Sequence, residues 1–95
     1  MMAPLFGQKL IINRGVSSFL VDNELILYVE NSQLYLGLEG IGIDIWMRIK
    51  EHQPILYEDI INFAENSLNV PNLDIEQIGE LIYALNEKGV LSSSQ

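Results

Sequence analysis

An α+β domain, with a three-stranded antiparallel sheet followed by three helices, is predicted by three features of this sequence. Apolar residues alternate with a period of two between Val16 and Leu38. Turn signals at Asp22-Asn23 and Asn31-Ser32 cut that segment into a meander. From Ile41 onward the apolar period becomes about 3.6, and Pro54 and Pro71 divide the remainder into three stripes.

Residues 1–15 contain Pro4, Gly7 and Gly15, and their one strand-like piece is Leu10 to Ile12, so they are read as an arm with no assigned structure. Val16 to Val21 is the first predicted strand, Leu25 to Val29 the second and Gln33 to Leu38 the third. Ile41, Ile45, Trp46 and Ile49 define the first helix, which Gln53-Pro54 stops near Glu51. Tyr57, Ile60, Ile61, Ala64 and Leu68 fall at offsets 0, 3, 4, 7 and 11, one face of a second helix that Asn69 to Asn72 break. The third helix is expected to start at Asp74, whose carboxylate can cap it while Gln77 reaches back. Ile75, Ile78, Ile82 and Leu85 form its stripe, and Leu81 widens it. Gly89 stands where a left-handed C-terminal residue is wanted, with Lys88 beside the negative helix end. Val90 and Leu91 are expected to fold back on the core, closing a domain over 16–91, and residues 92–95 to fray.

At 95 residues, 48% apolar and 19% charged, the chain has material for one core and is too apolar to be disordered. It has no cysteine, which removes disulfides, thiol nucleophiles and thiolate metal sites and fits a reducing compartment. The opening lacks the features of a secretory signal, and no apolar run reaches the roughly 20 residues that span a bilayer, so a cytoplasmic protein is expected. Formal charge is −8, with eight acids against one base, Lys88, from Glu51 onward. Such a surface repels phosphate backbones and anionic lipid, so the expected partner is a peptide or protein rather than nucleic acid.

Catalytic chemistry has little to work with. His52 is the one histidine, in a polar setting, so a zinc site of the usual ligands cannot be assembled from this chain. No serine has a base at an interpretable spacing, and Glu58-Asp59 reads as a helix-start pair that complements the dipole. The cluster Gly37, Gly40, Gly42 lies between a strand and a helix, but its order is G-x-x-G-x-G rather than G-x-G-x-x-G, and Glu39 would repel a pyrophosphate. Those glycines read instead as a slim strand, a tight turn and a close helix contact. Trp46 is expected in the core, with Phe63 and Tyr83 partly exposed. No catalytic residue, metal or cofactor is expected.

The third strand draws more attention. A simple meander leaves it at a sheet edge, and Leu34, Tyr35, Leu36, Gly37 and Leu38 include neither the lysine nor the proline with which soluble proteins usually guard such an edge. Either a homodimer covers it, or it accepts an extended peptide as an added strand, with the third helix as second wall.

The run Leu38-EGIG-Ile43-Asp44-Ile45-Trp46, after a strand containing Tyr35, resembles the Y-x-x-L-N-x-x-G-x-x-I-W signature of the PqqD-like proteins, the precursor-peptide recognition domains of ribosomally made, modified peptides. Tyr57-Glu58-Asp59-Ile60-Ile61 is similar to that family's second helix, and Ile78 to Leu91, ending LNEKGVL, to its closing L-x-x-x-G-L-L. The likeness spans Val16 to Leu91; Glu39 replaces the usual asparagine and Leu56 the usual Ser or Thr cap. It implies a winged helix-turn-helix that binds rather than catalyses, a peptide chaperone whose third strand takes up the leader region antiparallel and presents it to a modifying enzyme. Carried over by position, it implies Leu34, Tyr35, Leu36, Gly37 and Leu38 on the pairing edge and Ile75, Ile78, Gly79, Ile82 and Tyr83 on the helix side. Asp74, Glu76 and Glu80 at the rim are expected to favour a leader carrying lysine or arginine. Stand-alone domains of this layout occur in pyrroloquinoline quinone synthesis and in lasso-peptide maturation, with its leader peptidase and cyclase. The aromatic third strand and the lack of a fused enzyme favour the lasso case. The rival from another class is a winged-helix DNA-binding regulator, disfavoured by the acids from Asp74 to Glu87.

Overall fold

The computed structural model describes residues 5–68 and 75–95. Its element order is β1 (Lys9–Ile12), β2 (Val16–Val21), β3 (Glu24–Val29), β4 (Leu34–Leu38), α1 (Ile41–His52), β5 (Ile55–Leu56), α2 (Tyr57–Ser67), α3 (Ile75–Glu87) and β6 (Leu91–Ser94). The α+β class and the helices agree with the sequence reading, but three strands followed by three helices do not: there are two three-stranded antiparallel sheets, β2-β3-β4 and β5-β1-β6.

The meander forms where the alternation places it. Asp22 turns the chain at φ 55 between β2 and β3, and Gln33 at φ 53, with its N–H donating to the Glu30 carbonyl at 3.2 Å, turns it between β3 and β4. Period two then sends Leu25, Leu27, Val29 and Leu38 into the core, where each is less than a tenth exposed. The helices meet that face with the stripes read from the sequence: Ile45, Trp46 and Ile49 on α1, Tyr57, Ile60, Ile61 and Ala64 on α2, and Ile78, Ile82 and Leu85 on α3. All belong to one apolar cluster.

Helix ends follow local chemistry only in part. Gly89 at φ 81 lets the Val90 N–H reach the Leu85 carbonyl at 2.9 Å and the Gly89 N–H the Asn86 carbonyl at 3.3 Å, the paired bonds of a Schellman ending. Both α1 and α2 start without a side-chain cap, at Gly40 and Leu56. The Asp74 cap expected for α3 lies outside the described residues.

Two expectations are corrected. The supposed arm contains β1, the central strand of the second sheet, with Leu10 fully buried. The supposedly frayed tail is β6, which pairs with β1 from Lys9↔Ser94 to Ile12↔Leu91. Side chains secure it: Ser92 Oγ donates to Asn13 Oδ1, and Asn86 Nδ2 donates to Ser93 Oγ at 3.0 Å. Leu10 to Ile12 reads as strand-like, but the partners of such short strands lie far along the chain, so these pairings escape a reading of periodicity.

Removing residues 92–95 should therefore lower the melting temperature, where a frayed tail would leave it unchanged. Losing a net 1–2 kcal/mol of edge pairing corresponds to a fall of about 5–15 °C in a domain this small, measurable by circular dichroism. A second prediction concerns Tyr57, whose ring packs edge-on against Phe6 at 5.3 Å and whose pKa is raised by burial and then by the Glu58 carboxylate. Its folded pKa exceeds the unfolded value, so the stability it contributes is complete below about pH 10 and is lost as pH rises through the folded pKa. Tyr57→Phe should flatten this alkaline loss relative to wild type in melts at pH 8 to 11.

Candidate functional site

β4 pairs with β3 from Leu25↔Leu38 to Val29↔Leu34, and no strand pairs with its other side among the described residues. The pleat splits its five residues between two faces. Leu34 and Leu36 are half-buried and Leu38 buried on the inner face, while Tyr35 and Gly37 face out. Tyr35 is 64% exposed and stacks on Tyr28 with ring centroids 4.7 Å apart. The edge therefore offers its backbone, three leucines on one side and one aromatic ring on the other.

α3 meets the end of this strand at Gly42. A Cβ built there would stand 3.7 Å from the Leu38 side chain and 3.8 Å from Leu81, so the end of β4, the start of α1 and the middle of α3 converge. Leu81, read from the sequence only as widening a stripe, is thus the α3 side chain beside β4. Tyr83 stands about 160° round the helix from it. Tyr83 is half-buried against the core. Ile78 and Ile82 are 1% and 0% exposed, and Gly79 is buried; they form the floor of the helix–sheet junction rather than an open wall. Ile75 is half-buried, Glu76 and Glu80 are exposed, and Asp74 lies outside the described residues. Helical periodicity identifies a buried face, but which flank meets β4 depends on how the helix is docked.

The glycines at the join differ in what they need. Gly40 has φ 56 and ψ −129, a region closed to residues with a Cβ, and it lets the chain leave β4 and enter α1 at once. Gly42 faces only ordinary van der Waals distances, so the close contact expected there is not obligatory.

Elsewhere, a cavity of about 430 Å³ lies between α1 and α2, lined by Arg48, His52, Asp59, Asn62 and Phe63 among others. His52 is exposed at its rim, and the Arg48 guanidinium sits 4.8 Å over the centre of the Phe63 ring. None of the β4 residues lines it. No described helix is long and apolar enough to cross a membrane.

Gly40→Ala should cost about 1–3 kcal/mol of strain. Gly42→Ala should be neutral or stabilise by less than about 1 kcal/mol, because alanine is the better helix former. Urea titration of the two variants checks the contrast.

Comparison with protein-family models and with curated proteins gives no match. Among solved structures the chain is similar to TbiB1, determined in complex with the TbiA(beta) leader peptide. The TM-score is 0.69 and the identity 26%, over 86% of this chain and 94% of that one.

Proposed function

We propose that this protein captures the leader segment of a ribosomally made precursor peptide, which adds as a strand to the open edge of β4. The observation that carries the reading is that edge: uncharged, unpaired among the described residues and beside α3, in a chain similar to a protein solved with a leader peptide. Main-chain hydrogen bonds to β4 supply affinity independent of sequence. Leu34, Leu36 and Leu38, with Leu81 on the helix, supply an apolar lining that selects inward-facing leader residues. The chain acts without catalysis of its own, as a PqqD-like recognition element of winged helix-turn-helix type. It works in the cytoplasm, presenting the leader to a peptidase or cyclase, with lasso-peptide maturation the favoured setting.

DNA binding has little support, because α3 carries Glu76, Glu80 and Glu87 and no base. A homodimer sealed through the same edge is the second reading, since an uncharged edge strand with one side unpaired among the described residues can pair with a second copy of itself. A dimeric mass in size exclusion without peptide, collapsing to monomer on peptide addition, would place both events on one edge.

The direct test titrates a synthetic leader of a candidate precursor peptide by calorimetry. Leu36→Pro should weaken uptake by about tenfold or more, since a ladder donor is lost and strand geometry disturbed. A leader N-methylated along its paired backbone should fail equally against the unaltered protein, so that a misfolded variant cannot mimic the result. Full affinity of the methylated leader would show that the peptide docks elsewhere.

A further inference from the structure

We propose that Glu24 makes the β4 edge selective for a peptide with lysine or arginine at the residue paired with Gly37. This rests on strand addition to β4 as proposed above. Glu24 lies on β3 two residues before Ile26, the cross-strand partner of Gly37, so the two share the outer face of the sheet diagonally. The Glu24 side chain leans across the strand. A Cβ at Gly37 would stand 2.9 Å from its carboxyl carbon and 3.4 Å from its Cγ, so the carboxylate occupies the space that a side chain at 37 would fill. Among the described residues no cation pairs with it. The carboxylate is thus carried from the middle strand to the strand that bears the open edge.

An added strand runs about 4.8 Å from β4, and its residue opposite Gly37 directs its side chain to this outer face. With no side chain at Gly37, the Glu24 carboxylate lies over the strand, within reach of the cation of a lysine or arginine that approaches from the edge. The exposed Tyr35 ring, two residues along β4 on the same face, offers that cation an aromatic surface. An acidic residue at this position meets like charge, and an apolar one leaves the carboxylate unpaired beside it. Gly37 therefore serves as a socket as well as a slim strand position. The selectivity is set on the outer face, away from Glu76 and Glu80 on α3.

The test is selection of a phage-displayed library of random decapeptides on wild-type protein, Glu24→Gln and Glu24→Lys. Wild type should retain peptides with lysine or arginine at one fixed position. Glu24→Gln should lose that preference, and Glu24→Lys should replace it with aspartate or glutamate. A synthetic selected peptide with the cation changed to methionine should bind wild type about fivefold more weakly at low salt and Glu24→Gln unchanged. Gly37→Ala, which pushes the carboxylate aside, should reduce the preference in a folded protein. The same preference on Glu24→Gln as on wild type would overturn the assignment while leaving strand addition intact. Failure to retain any peptide, or retention unaffected by backbone N-methylation of the synthetic peptide, would overturn strand addition and this selectivity with it.

Discussion

β1 is hydrogen-bonded on both sides, to β5 through Lys9↔Leu56 and Leu10↔Ile55 and to β6 through four residue pairs, and the arrangement of the helices depends on it. β5 joins α1 to α2, and β6 follows α3, so one strand holds the ends of all three helices. Leu10, Ile55, Val90 and Leu91 are 0%, 5%, 0% and 1% exposed around it, which places the second sheet in the same core as the first. Local bonds tighten the clasp. The Ile12 N–H donates to Gln53 Oε1 at 2.7 Å, the Tyr57 N–H to the Gln8 carbonyl at 2.9 Å, and the Asn13 N–H to the Val90 carbonyl at 3.0 Å. Each contributes about 1 kcal/mol net, and together they offset the entropy of closing long loops.

The β4 edge can stay open because that clasp exists elsewhere. With the helices tied down by β5-β1-β6, the meander need only bury its inner face, and Leu25, Leu27, Val29 and Leu38 do so. An edge strand with no lysine or proline ordinarily invites uncontrolled pairing. Here its apolar side chains turn mostly inward, while Tyr35 and Gly37 are what it shows on the outer face. The acid that would guard such an edge is not in β4 itself but reaches it from β3, as Glu24 lying over Gly37. A net charge of −8 adds a field that repels like-charged partners.

By itself the sequence determined the meander, the three helices and their buried faces, because each is written in contiguous periodicity: two from Val16 to Leu38, about 3.6 through Ile45, Ile60 and Ile78. It also determined the Gly89 ending and the unguarded character of Leu34 to Leu38, which need only local chemistry. Tertiary structure alone decided that Lys9–Ile12 and Leu91–Ser94 are strands, since short strands take their identity from partners distant in the chain. It decided that Leu81 meets the end of β4, because a helix stripe does not reveal its docking rotation. It decided that Ile78 and Ile82 are buried, at 1% and 0% exposed. And it brought Glu24 over Gly37, a contact between strands that follows from register and from the missing side chain, neither of which the residues announce in their linear order.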